Sequence, residues 1–241
     1  MNPQLALQFS HALRYSSDSF LVHQGVQGVV DTVMLLARES RSSMVYVSGG
    51  ESSGKTHLGV YLTAALRACD VRARFLAAEE ASAWLNGESE RHALEFGECV
   101  VIDDADLFIA RHGESGIISD LTERVRQVHG LLVMLGGRSI PELKASGQVK
   151  SRLEAGIVLF IDAPAENDLD KLLASIARQR GVRLTQSKRS FILRRVARTL
   201  PSLVEYVNRL GDVGREAYLS TSFGVLSEAA SEPGARPLEA A

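Results

Sequence analysis

Apolar residues recur at Val26, Val29, Val30, Val33, Met34 and Ala37. These are the i, i+3, i+4, i+7, i+8 and i+11 positions of one helix face, so the spacing predicts an amphipathic helix over 25–39. The period then changes. Residues 44–47 form a short continuous apolar run that reads as a strand, 58–66 returns to helical spacing, and 73–77 reads as a second short strand. Residues 79–94 are polar and read as helical in pieces. The run 99–102, Cys-Val-Val-Ile, is continuously apolar, as in a strand buried on both faces of a parallel sheet. Ile117, Ile118, Leu121, Val125 and Val128 mark a further helix, 131–135 a fourth strand, and 157–161 a fifth, closed by Asp162-Ala163-Pro164. Strands and helices alternate up to that point, which predicts a parallel sheet with crossover helices.

Beyond Pro164 the strands stop. Residues 169–178, 190–199 and 202–218 read as helices, with Gly181 and Pro201 at the breaks. The expected organisation is an N-terminal segment, 1–24, without a helical or strand period; an α/β domain, 25–164; a small all-helical domain, 165–221; and a polar tail, 222–241, that lacks apolar anchors after Leu226 and reads as disordered.

Between the first strand and the second helix lies Gly49-Gly50-Glu51-Ser52-Ser53-Gly54-Lys55-Thr56, followed by His57. It fits the phosphate-loop pattern G-x-x-x-x-G-K-[ST] in the strand–loop–helix context that the pattern requires. Glycines let successive backbone N–H groups converge on one anion, and the following helix adds its positive N-terminus. Lys55 is placed to reach the β- and γ-phosphates, and the Thr56 hydroxyl to hold Mg²⁺. The competing reading is a plain glycine turn. A second stretch adds chemistry: Asp103 and Asp104 close the third strand at its C-terminal end, where α/β sheets bind ligands. Asp103 then serves Mg²⁺ and Asp104 orients or deprotonates an attacking water; alternatively the pair caps a helix beginning at Ala105.

With 241 residues and a formal charge of −2, the chain is not a polybasic nucleic-acid binder, and any DNA contact has to be local. It has no apolar run of transmembrane length and no signal-peptide pattern at its start. Cys69 and Cys99 are its only cysteines, which argues against a disulfide framework and a zinc site and fits a reducing cytoplasm. Near the start, residues 4–9 read Gln-Leu-Ala-Leu-Gln-Phe. Gln4, Leu7 and Phe9 suit a short peptide docking into a preformed groove. Equally, the alternation of Leu5, Leu7 and Phe9 suits an edge strand or a cover for the core.

These stretches together resemble one branch of the AAA+ ATPases, the bacterial replication initiator DnaA and its Hda-type regulators, over about residues 4–220. The segment Phe20-Leu21-Val22, the run from Gly49 to Leu62, Val100–Phe108 with its paired aspartates, and Lys150-Ser151-Arg152-Leu153 followed by Gly156-Ile157-Val158 carry the resemblance. It implies a P-loop AAA+ domain with a parallel sheet followed by a helical lid, adenine nucleotide (ATP or ADP) with Mg²⁺ as ligands, and the role of an arginine finger for Arg152. It is similar to the Hda type in two respects: only a short polar tail follows the lid where the initiator continues into a DNA-binding domain, and residues 4–9 resemble the motif by which such regulators dock on the polymerase sliding clamp. The resemblance therefore implies a cytoplasmic regulator of replication initiation that promotes ATP hydrolysis by DnaA, with DnaA, the sliding clamp and a second copy of itself as partners and no sequence-specific DNA binding of its own. The chain departs from the family pattern at two places. Gly136-Gly137 stands where a polar sensor residue is usual, and Pro201 where the lid's sensor arginine is expected, with Arg198 one turn earlier. A non-catalytic, nucleotide-holding scaffold is the alternative that these departures favour.

Overall fold

The structure, a computed structural model, describes residues 16–39, 41–87, 93–113, 116–216 and 226. The docking residues expected at Gln4, Leu7 and Phe9 lie outside the described residues, as does most of the expected tail.

Five strands form one parallel sheet: β1 (Ser43–Ser48), β2 (Ala73–Leu76), β3 (Cys99–Ile102), β4 (Leu131–Gly136) and β5 (Ile157–Phe160), in the order β2-β3-β4-β1-β5. Each matches an apolar run of the sequence. The central strands β1, β3 and β4 are buried almost throughout, which is why their sequences are continuous rather than alternating. Side chains of successive residues point to opposite faces. Met44 and Tyr46 of β1 therefore join one core, beneath α3 (Ala78–Leu85), α4 (Ala105–His112), α5 (Ile117–Gln127) and α6 (Gly147–Ala155). Val45 and Val47 join the other, beneath α1 (Gln24–Arg38) and α2 (Lys55–Ala68). This is a three-layer sandwich in which every loop after a strand opens on the same edge of the sheet.

Two features went unread in the sequence. The helix α6 carries only Val149 and Leu153 as buried residues, too sparse a stripe to register, and it starts on the Ser146 side chain, which accepts from the Val149 N–H at 3.4 Å. The segment before α1, which shows no helical or strand period, contains a 3-10 turn at Ser17–Ser19. Its last carbonyl, that of Ser19, accepts from Ser175 Oγ and Gln179 Nε2, both at 3.0 Å, on the first lid helix.

That lid comprises α7 (Leu169–Gln179), α8 (Gln186–Arg195) and α9 (Leu200–Glu216) around a separate apolar core. The helix α8 begins four residues earlier than its hydrophobic spacing suggests, because the Thr185 hydroxyl caps it at the Lys188 N–H. Leu226, assigned from sequence to the tail, is fully buried in this core, and its carbonyl accepts from the Tyr206 hydroxyl at 2.8 Å. Among the described residues no helix is long and apolar enough to cross a membrane.

Candidate nucleotide-binding site

The run from Gly49 to Thr56 joins β1 to α2 at the C-terminal edge of the sheet. The Gly49 N–H donates to the Gly136 carbonyl at 3.1 Å, which ties the start of the loop to the tip of β4. Gly54 stands at the helix N-cap with φ +89°, a conformation that a β-carbon would strain. No side chain caps α2, so the N–H groups of its first turn are left for a ligand. Lys55 Nζ donates to the carbonyls of Gly49 and Gly50, at 2.8 and 2.7 Å, and closes over the loop. Ser52 shares the left-handed backbone at φ +56°, and Ser53 Oγ is buried without a hydrogen-bond partner.

Asp103, at the end of β3, is 4% exposed. It is hydrogen-bonded to the Thr56 side chain, yet its Oδ1 has no partner. Burial pushes its carboxyl above the ordinary carboxylate value, against the Thr56 hydroxyl, the Asp104 backbone N–H and the Lys55 charge, which all favour ionisation. An orphaned buried carboxylate oxygen is costly unless something answers it. Thr56 and Asp103 are therefore a hard-oxygen pair suited to Mg²⁺, with phosphate and water completing the coordination. Bound there, Mg²⁺ would neutralise charge on a phosphate chain, and Lys55, the loop and the first turn of α2 would orient it.

Asp104 is exposed beside Asp103. Its backbone is left-handed, φ 50° and ψ 43°, and its side chain makes no cap hydrogen bond to α4. The helix-cap alternative therefore fails for its side chain, and a non-glycine residue held in this region marks local strain at the sheet edge. His57 turns away from the loop: its Nε2 lies 2.9 Å from the Ser16 carbonyl and 3.1 Å from Ser19 Oγ, its ring packs edge-on against Phe20, and burial lowers its pKa.

Arg152 is exposed on α6 and lines a cavity of about 310 Å³ with Ser42, Ser43 and Met44, at the start of β1. The loop lies at the other end of that strand, roughly 17 Å away at about 3.3 Å per residue. Arg152 thus stands apart from its own phosphate loop. Arg198 is ion-paired to Glu166 and donates to the Leu193 carbonyl within the lid, and Pro201 occupies the first turn of α9.

One pair of residues escaped sequence reading. Tyr46 is fully buried in the middle of β1, and its hydroxyl lies 3.0 Å from Asp106 Oδ1 and 2.8 Å from the Arg138 carbonyl. Asp106 Oδ2 accepts from the Gly137 N–H at 2.7 Å. Burial, then the Asp106 charge, raises the Tyr46 pKa far above its ordinary value, so the phenol stays a donor. A β-carbon at Gly136 would sit 2.2 Å from the Tyr46 hydroxyl and 2.5 Å from Asp106 Oδ1, so the glycine is a steric requirement. The signal in the sequence is the tyrosine itself: a phenol in an otherwise apolar central strand needs a buried partner.

No protein-family model and no curated protein matches the chain in sequence. Solved structures match it in shape. Domain III of the Thermotoga maritima replication initiation protein DnaA superposes with a TM-score of 0.70 at 16% identity, over 89% of this chain and 95% of that one. AMPPCP-bound DnaA from Aquifex aeolicus gives 0.63 at 15% identity, over 85% and 67% of the two chains. The Thermotoga maritima RuvB Holliday junction branch migration motor gives 0.63 at 17% identity, over 90% and 72%. The parallel five-stranded sheet, its flanking helices and the helical unit that follows are thus a fold shared with domain III of DnaA and with RuvB.

Proposed function

We propose that this chain is a nucleotide-dependent regulator of replication initiation that binds ADP or ATP with Mg²⁺, docks on the sliding clamp through residues 4–9, and promotes ATP hydrolysis by DnaA with Arg152. The observation that carries the nucleotide part is the cradle itself: Lys55 over the loop, an uncapped helix N-terminus, and beside it Asp103, bonded to Thr56 with its buried Oδ1 unpartnered. The exposed position of Arg152, away from its own loop, supports action on another molecule's nucleotide, where a guanidinium offsets charge developing on the transferred phosphoryl group. The aligned fold of AMPPCP-bound DnaA supports an adenine nucleotide as the ligand.

Isothermal titration with Mg-ADP and Mg-AMPPCP tests the first part: binding by the protein as it stands, and its loss in Lys55→Ala, are expected. For the second part, DnaA ATPase is measured with clamp-loaded DNA. Arg152→Ala should remove stimulation, and Leu7→Ala with Phe9→Ala should remove clamp binding in a pull-down, both with nucleotide binding intact. Stimulation that survives Arg152→Ala places the finger elsewhere. A scaffold that holds nucleotide without promoting hydrolysis is the second reading, favoured by the absence of a sensor side chain at Gly136; it predicts binding without stimulated turnover in any mixture.

A further inference from the structure

We infer that Asp106 is a specificity-determining residue of this site, a half-buried carboxylate held at the tip of β4 that sets how strongly a third phosphate contributes to binding. The inference rests on the nucleotide reading above and deepens it.

The sheet order decides the geometry. The strand β4 lies between β3, which ends at Asp103, and β1, which leads into the loop at Gly49. Its tip at Gly136 is bonded directly to Gly49. The tip of β4 therefore stands between the Mg²⁺-holding carboxylate and the phosphate loop, at the end of the site where the last phosphate of a chain would lie. Two hydrogen-bond donors stand at that tip, the Gly137 N–H and the Tyr46 hydroxyl; Asp106 Oδ2 takes the first, and Asp106 Oδ1 shares the second with the Arg138 carbonyl.

Asp106 cannot swing aside cheaply. Tyr46 is fully buried, the β4 backbone is paired with β1 through Gly136, and Asp106 sits in the first turn of α4, whose Phe108 and Ile109 are buried. The missing side chain at Gly136 and the presence of Asp106 are two halves of one arrangement, since any β-carbon there would collide with this carboxylate and its tyrosine. A backbone N–H that would otherwise answer an incoming anion is occupied by a resident one, and a negative charge is fixed beside the terminal-phosphate position. Lys55 and a single Mg²⁺ must then face Asp103, Asp104, Asp106 and the phosphates together. A diphosphate keeps its distance from Asp106, whereas a triphosphate meets it.

The test is calorimetric titration of Mg-ADP and Mg-AMPPCP into the full chain and its Asp106→Asn and Tyr46→Phe variants, with Lys55→Ala as control. The expected result is that Asp106→Asn tightens AMPPCP by about tenfold or more and leaves ADP within about twofold, because only the charge near the third phosphate is removed. Tyr46→Phe keeps the charge, so its ratio of AMPPCP to ADP affinity should stay with that of the unaltered chain. The inference is overturned if Asp106→Asn shifts both nucleotides equally or neither, or if Tyr46→Phe changes the ratio as much, which would assign the effect to packing at the β4 tip. If the unaltered chain binds neither nucleotide, or if binding persists undiminished in Lys55→Ala, the nucleotide reading falls and this inference with it.

Discussion

Replacing Gly136 with alanine tests the link between the core and the site most directly. The added β-carbon would lie 2.2 Å from the Tyr46 hydroxyl, 2.9 Å from its Cζ and 2.5 Å from Asp106 Oδ1. Contacts under 3 Å must be relieved by movement, and neither neighbour is a loose side-chain end: the tyrosine is fully buried, and the carboxylate is bonded to the Gly137 N–H. Overpacking of this kind costs about 1–3 kcal/mol, and losing a hydrogen bond to a charged acceptor costs about 1.5–3 kcal/mol. Because the movement that relieves the clash also breaks the bond, the two overlap, and about 3 kcal/mol is expected. For a chain of this size that is a fall in Tm of roughly 6–12 °C. The assay is thermal and urea unfolding followed by circular dichroism. Gly137→Ala is the control: its β-carbon meets only Asp106 Oδ2, at 3.0 Å, and should cost under about 1 kcal/mol. In the double variant with Tyr46→Phe the hydroxyl clash is gone, so the combined loss should fall short of the sum by about 1 kcal/mol. Gly136→Ala within about 0.5 kcal/mol of the unaltered chain, or strict additivity with Tyr46→Phe, would refute the reasoning.

Three further outcomes are expected. His23 is buried at the N-cap of α1, where its Nδ1 accepts from the Gly25 N–H at 3.1 Å, and burial lowers its pKa against the pull of Asp168. The unfolded chain thus binds the proton first, so stability falls as pH drops below about 6.5 toward the folded value; His23→Ser, which still caps, should flatten part of that slope in pH-dependent unfolding, His57 and His112 contributing the rest with the same sign. Asp103 has the opposite sign: its raised folded pKa means that its contribution is lost as pH rises through that value, so Asp103→Asn should raise the Tm of the nucleotide-free protein at neutral pH while weakening Mg-nucleotide binding in titration. Finally, Arg74 holds both oxygens of Glu98, at 2.5 and 2.9 Å, and lies over the Trp84 ring. Glu98 is buried, so Arg74→Ala strands its charge and should cost about 3 kcal/mol in urea unfolding, far more than a surface pair would.

The alternation of strands and helices was legible because each central strand is buried on both faces and the crossover helices α2 and α5 keep a one-sided apolar stripe. The phosphate loop was legible for a related reason: its chemistry is carried by neighbours in sequence, glycines for backbone curvature and a lysine and threonine at the helix start, so a short pattern holds the whole device. The boundaries set by caps were less so. The helix α6 offered only Val149 and Leu153 as buried markers, and α8 was extended backward by a threonine hydroxyl rather than by an apolar residue.

What the sequence by itself determined was the presence of a cradle at Gly49–Thr56 and of carboxylates at a strand end, because these are local arrangements of backbone and charge. What only the tertiary structure decided was how the far side of that cradle is built. Tyr46, Asp106 and Arg138 are separated along the chain by 60 and 92 positions, and they meet because β4 inserts between β1 and β3. Gly136 reads in the sequence as a missing side chain. In the fold it is the space that a phenol and a carboxylate fill, and no local pattern can show that, since the atoms that exclude a β-carbon come from two other elements of the sheet edge.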